Sequence, residues 1–160
     1  MSNSDFDKVL RSFPTGISVV TVGRGGVENG LTVSWASPVS FEPPQFMIAV
    51  NKNHYSTELL DSTKNFVINV LKKDQAGLAG HFAKASMSDS EKLDGIATRE
   101  AKSGAAILSD ALAYFDCEVI DSHSYGDHKV YVGKVIDADM QSEGDPLTTL
   151  EGMRYVKKST

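Results

Sequence analysis

The chain has one cysteine, Cys117, among 160 residues, so no disulfide can form within it and folding must rest on a buried core. Cys117 falls in the apolar phase of Ala113, Phe115, Cys117 and Val119, which reads as a core thiol rather than a redox or nucleophilic centre. A basic excess is also missing. The 16 Lys and Arg face 21 Asp and Glu, a formal net charge of -5. Nucleic acid and anionic membrane both want a basic face, so neither is expected as a partner, although a local basic spot can still hold one phosphate. No apolar run approaches bilayer-spanning length. The start, MSNSDFDKVL, lacks the basic residues and apolar run of a signal peptide, which makes the cytoplasm the expected setting.

Several chemistries lack their residues. Gly23-Arg24-Gly25-Gly26 is not a dinucleotide fingerprint, because Glu28 stands where the last glycine belongs. There is no Walker-type glycine-lysine loop and no Gly-x-Ser-x-Gly elbow. The four histidines, His54, His81, His123 and His128, have no metal-ligand spacing, so no metal site is expected.

What is present is a succession of short strands. Residues 4–12 read as an amphipathic helix capped by Ser4 or Asp5, with Phe6, Val9, Leu10 and Phe13 on one side. Strands are predicted at 17–22, 31–35, 45–50, 65–71, 112–120 and 129–138, and short helices at 55–62 and 75–83. Gly23 to Gly30 reads as a loop or hairpin turn, and Asp121 to His128 as a polar turn. From Lys84 to Gly104 the pattern is lost, as in a long loop. Leu150 to Val156 is expected to add a last short element. Tight turns between consecutive strands, without βαβα alternation, predict one domain over residues 1–160: a mainly β, antiparallel barrel with a few short helices on its ends.

Two hydroxyl-rich bends carry the functional signal. Thr32, Ser34, Ser37 and Ser40 surround the point where the chain turns toward Pro43, beside the lone Trp35. Backbone donors freed there need partners, and a flat ring with a polar edge supplies them. The plainer reading of each hydroxyl alone is strand-edge solvation. The second bend, Asn51 to Thr57, leads into a helix whose N-terminus suits a phosphate, with Ser56 and Thr57 as hydroxyl donors and Lys52 as a charge. Its plainer reading is helix capping by Asn53 or Ser56. His128 follows Gly126-Asp127 at the start of a strand, either as a solvated turn residue or as a donor to a ligand carbonyl or phosphate.

Phe13-Pro14-Thr15-Gly16, Gly30-Leu31-Thr32-Val33-Ser34, Val39-Ser40-Phe41-Glu42-Pro43-Pro44, Asn51 to Thr57, Phe66 to Leu71, Leu78 to Ala83 and Gly126-Asp127-His128 occur in one order across most of the chain. Together they resemble the flavin reductase-like, FMN-binding split-barrel family. The resemblance implies a Greek-key split barrel and a homodimer with FMN at or near the subunit interface. It implies hydride transfer from NADH or NADPH to flavin, and a redox protein or monooxygenase as possible recipient. Carried onto this chain, it places Thr32, Val33, Ser34, Trp35, Ala36 and Ser37 along the flavin ring. Asn51, Lys52, Ser56 and Thr57 fall at the phosphate, and Asn69, Val70, Leu71, Phe82 and Tyr155 near the ring. His128 falls where the nicotinamide approaches. Trp35 departs from the small polar residue common at its position, a feature closer to flavoredoxin-like and rubredoxin-linked branches, in which FMN serves as an electron carrier reduced by a redox partner.

Overall fold

The computed structural model describes residues 1–84 and 91–151. Its elements are α1 (Asn3–Leu10), β1 (Ser18–Arg24), β2 (Val27–Val33), β3 (Ala36–Phe41), β4 (Pro44–Asn51), α2 (Ser56–Thr63), β5 (Asn65–Val70), α3 (Ala76–Phe82), β6 (Thr98–Glu100), β7 (Ala106–Leu108), β8 (Ala113–Tyr125) and β9 (His128–Met140). Single 3-10 turns lie at Glu91–Leu93 and Thr149–Glu151. Seven strands form one antiparallel sheet in the order β2-β1-β5-β8-β9-β4-β3, and β6 pairs with β7 in a second, two-stranded sheet. Among the described residues the chain is mainly β with three short helices, and none of these helices is long and apolar enough to cross a membrane.

The two edge strands, β2 and β3, are consecutive in the chain and joined by only Ser34 and Trp35. Three Cα-to-Cα steps span at most about 11 Å, so the two edges of the sheet lie side by side at this seam. The sheet therefore curls round its contents, although no ladder pairs β2 with β3 and hydrogen bonding leaves it open. Inside the curl, Val20, Val22, Leu31, Val33, Ile48, Val50, Phe66, Ile68, Cys117 and Tyr131 pack with Leu59 and Leu60 of α2. Burial, reinforced by the neighbouring Asp116 charge, pushes the Cys117 thiol up to about 12, leaving it inert at neutral pH. Gly133 admits this packing, because a Cβ there would lie 2.7 Å from Phe66 Cζ.

Opposite faces of β1 and β5 carry a second, partly polar layer under α3 and β7. Asn69 Nδ2 donates to the Val19 carbonyl at 3.1 Å and to the Thr21 hydroxyl at 3.2 Å, and Asn69 Oδ1 accepts the Leu108 N–H at 2.8 Å. The Thr21 hydroxyl donates to the Ala106 carbonyl. Asn65 accepts from the Gly23 N–H and donates to the carbonyls of Gly23 and Ser103. Phe82 lies so close over Gly30 that a Cβ would fall 2.6 Å from its Cε1. The buried Lys92 ammonium donates to the carbonyls of Gly30 and Phe82 at 3.2 Å each, closing the end of α3.

Several elements differ from the sequence-based expectation. The cap of α1 is Ser2, in a reciprocal box with Asp5, and the helix buries none of its residues. Gly25 and Gly26, with φ of 65° and 84°, make a two-residue turn that lets β2 begin at Val27 instead of near Leu31. The stretch 36–41, expected as a bend, is an edge strand. Pro38 fits there because an edge has one unpaired side, and the register shifts beside it between Pro38 and Ser40. The polar turn expected over 121–128 shrinks to Gly126-Asp127, since polar residues pair as well as apolar ones where a ribbon stands clear of the core. Strand β6 falls inside the expected long loop, and β7 just after it.

Candidate active site

The register of β4 and β9 sorts their side chains. Ile48, Val50 and Tyr131 point into the core, so Ala49, Asn51, Val130 and His128 share the outer face. Trp35 joins them from the seam, its carbonyl accepting the Ala49 N–H at 2.9 Å. Its indole stacks on His128 with ring centroids 4.6 Å apart and planes tilted by 42°. His128 lies opposite Asn51 in the ladder, and its Nδ1 is 2.7 Å from Asp127 Oδ1. The Lys52 N–H donates to the Asp127 carbonyl at 3.0 Å, tying the second bend to the β8–β9 turn. Trp35, Asn51, Lys52 and His128, drawn from both bends and the hairpin tip, thus meet at one end of the outer face.

The second bend is braced from within. The Asn51 carbonyl and its Oδ1 accept the N–H groups of His54 and Asn53, each at 3.0 Å. His54 Nδ1 accepts the Ser56 N–H at 3.1 Å, and the His54 carbonyl accepts both the N–H (3.0 Å) and the hydroxyl (2.8 Å) of Thr57. Neither Asn53 nor Ser56 caps α2 through its side chain; the imidazole of His54 meets the first donor of the helix instead. Ser56 is fully buried, its hydroxyl accepting from Asn29 Nδ2 at 3.0 Å, and Thr57 is nearly so. These hydroxyls shape the loop, whose exposed groups are those of Asn51, Lys52 and Asn53. The signal that marks His54 in the sequence is its place two residues ahead of the helix start.

Helix α2 is also fastened to β9. Asp61 Oδ1 accepts from Lys129 Nζ at 2.8 Å and from the Tyr131 hydroxyl at 2.9 Å. Burial pushes the Asp61 carboxyl up, but these two hydrogen bonds and the charges of Lys129 and Lys64 outweigh it and hold the group below its ordinary value. Burial, with the Asp61 bond and charge, drives the Tyr131 phenol far upward.

The remaining positions divide differently. Ser34 and Ala36 are half-buried at the seam, and Ser37 is exposed with its hydroxyl on the Pro38 carbonyl at 2.9 Å. Thr32 turns the other way and donates to the Ala79 carbonyl of α3 at 2.5 Å. Val33, Leu71 and Phe82 are core, and Val70 packs against it. Asn69 has its polar atoms committed to Val19, Thr21 and Leu108. Thr32, Asn69, Leu71 and Phe82 therefore act as scaffold behind the seam, while Trp35, Asn51, Lys52 and His128 face outward together. Tyr155 lies outside the described residues.

The family model described as "Flavin reductase like domain" matches residues 10–156. Among curated relatives, diflavin flavoprotein A 3 of Nostoc sp. is 36% identical over 138 residues, covering 82% of this chain and 24% of that protein. The chain thus spans about a quarter of the length of the diflavin flavoproteins it matches. The reductase component of a 4-nitrophenol 4-monooxygenase/4-nitrocatechol 2-monooxygenase from Rhodococcus opacus is 30% identical, over 95% of this chain and 80% of its own. In structure, the NADH:FAD oxidoreductase of Streptomyces globisporus superposes with a TM-score of 0.88 at 28% identity, over 99% of this chain and 95% of that one. With a family model covering nearly the whole sequence, this chain belongs to the flavin reductase-like domain family.

Proposed function

We propose that the chain is an NAD(P)H-dependent flavin oxidoreductase that holds FMN on the outer face around Trp35, Asn51, Lys52 and His128. The observation that carries this reading is the meeting of those four residues, in a chain of this family. They fit a flavin in kind. Small and flat side chains, Ala49 and Trp35, border a strip with amides and hydroxyls at its edge, and Lys52 supplies a cation for a phosphate. When bound, a flavin supplies the acceptor for the two electrons of a nicotinamide hydride. The protein's part is to bind, orient and exclude water, so no general base is required. Ser34 and Ser37 flank the ring edge, the Asn51–Thr57 loop seats the phosphate, and His128 places the nicotinamide.

The curled sheet supports the finer reading of a Greek-key split barrel in one domain. A homodimer is supported by the half-buried apolar residues Met47, Val130 and Val132 on the same outer face. FAD competes with FMN as the bound flavin because the Streptomyces relative is named for FAD. The Rhodococcus relative, named as a monooxygenase reductase component, supports an oxygenase as recipient of reduced flavin. A second reading, an FMN electron carrier reduced by a redox protein, draws on the match to proteins named as diflavin flavoproteins.

Anaerobic addition of NADH or NADPH to the flavin-loaded protein separates the two readings. Bleaching of the flavin band near about 450 nm is expected, with one nucleotide acting faster. A band that persists with both nucleotides but bleaches with a reduced small redox protein overturns the reductase reading in favour of the carrier.

A further inference from the structure

Strand β9 presents its first residues alternately to two sides. His128 and Val130 face outward, whereas Lys129 and Tyr131 face inward, toward α2. Both inward residues end on one atom of that helix. Asp61 Oδ1 accepts from Lys129 Nζ at 2.8 Å and from the Tyr131 hydroxyl at 2.9 Å. The ammonium also lies 5.2 Å from the centre of the Tyr131 ring, so it covers the phenol with which it shares the carboxylate.

The Tyr131 side chain is fully buried, and its oxygen is 3.4 Å from the Thr57 carbonyl as well. Thr57 in turn donates its hydroxyl to the His54 carbonyl at 2.8 Å, and that hydroxyl lies 3.3 Å from the Lys52 carbonyl. A short path of contacts thus runs from Asp61 to the backbone that carries Lys52. The loop has both ends fixed: Asn51 by its ladder pairing with His128, and Ser56 and Thr57 by their place in α2. Where α2 sits along β9 therefore sets the shape of the loop. Leu59 and Leu60 press the helix against the core, but apolar contact is non-directional and permits sliding. Two short hydrogen bonds converging on one carboxylate oxygen do not.

We propose that Asp61, Lys129 and Tyr131 are positioning residues for the flavin phosphate: by fixing α2 on β9 they hold the Asn51–Thr57 loop, with Lys52, in the form that accepts it. This rests on the reading above that the loop seats the phosphate, and adds what sets the loop's shape. The three residues act from the inner side of the sheet, behind the loop, and need no contact with the ligand. Their effect is accordingly confined to flavins that carry a phosphate. FMN and riboflavin share the ring and the ribityl chain and differ in the phosphate alone, so the ratio of their affinities isolates this part of the site. A clamp that merely stabilised the fold would weaken both flavins alike.

Fluorescence titration of the flavin-free full chain with FMN and with riboflavin at neutral pH reads that ratio. The wild type is expected to bind FMN at least about tenfold tighter, the scale of one charged hydrogen bond. Tyr131→Phe, which removes a single oxygen, and Asp61→Asn are each expected to lower the ratio at least about threefold, with riboflavin affinity kept within about twofold. Lys129→Gln alters a partly exposed side chain and is expected to act in the same way, with Lys129→Arg restoring the ratio. An unchanged ratio in any folded one of the first three variants overturns the proposal, and so does an equal loss of affinity for both flavins. If the wild type does not prefer FMN, or Lys52→Ala leaves the ratio unchanged, the phosphate reading itself fails. If Lys52→Ala lowers the ratio and the clamp variants do not, only the role of the clamp fails.

Discussion

Two polar regions of this molecule look alike as residue lists and behave as opposites. Under β7 lie Thr21, Asn65 and Asn69, fully or almost fully buried and each bonded to backbone groups of neighbouring elements. At the outer end of β4 and β9 lie Asn51, Lys52 and Asn53, exposed, with Trp35 and His128 half-buried beside them. The first set replaces ladder partners for strands that are covered on both faces. The second leaves amides, a cation and an imidazole turned outward. The lesson is that a cluster of hydroxyls and amides points to a ligand only when its bonds are not already spent on the scaffold.

The contrast breaks most severely at Asn69. Asn69→Leu leaves the Leu108 N–H, the Val19 carbonyl and the Thr21 hydroxyl short of a buried partner, and we expect a loss of about 2–4 kcal/mol in chemical unfolding. A loss within 0.5 kcal/mol, as for an exposed site, would erase the distinction between the regions. Gly30→Ala presses a methyl group into Phe82 and should cost about 1–3 kcal/mol by the same measurement. On the outer side the order reverses, with ligand effects exceeding stability effects. Lys52→Ala should change stability by less than about 0.5 kcal/mol but weaken flavin binding roughly tenfold in a fluorescence titration, the scale of one charged hydrogen bond. His128→Ala should raise the KM for the nicotinamide donor by a similar factor and leave flavin affinity within about twofold.

Asp61 gives the smallest effect and sharpens the comparison by pH. Its folded-state value lies below the unfolded one, so its stabilising contribution is present above the ordinary carboxylate range near about 4 and disappears as acid protonates the folded group. The melting temperatures of wild type and Asp61→Asn should keep a constant, small gap from about pH 7 to 5 and converge below about pH 4. A gap that widens in acid contradicts the assignment of the Lys129 and Tyr131 bonds to the ionised carboxylate.

The strands with strong apolar content were legible in the sequence. ISVVTV, QFMIAV and NFVINV each carry enough β-branched or apolar residues to announce themselves. Strands β6 and β7 were not, because three residues are too few to set a period, and β3 was hidden by Pro38, which only an unpaired edge excuses. At the site, Trp35, Asn51, Lys52 and His128 were legible as members of two bends and a turn, and the structure brings them together. Asn69 and Phe82 sit in recognisable segments, yet nothing in NFVINV or LAGHFA reveals which face of a strand or helix the scaffold claims. The contacts of Asp127 and His54 are not legible in the sequence, because each involves an imidazole nitrogen whose direction depends on ring orientation rather than on residue type.

The seam at Ser34-Trp35 has a consequence for how the chain tolerates changes of length. Side chains along β3 alternate sides with every residue, so one added residue at the seam would invert the parity of everything from Trp35 to Phe41 unless the edge slipped against β4. The indole would then leave His128, and Ser37 would trade sides with its neighbours. An added residue at Gly126-Asp127 merely enlarges a turn. The seam is thus a fixed-length clasp: the join that brings the sheet edges together also counts residues for the site.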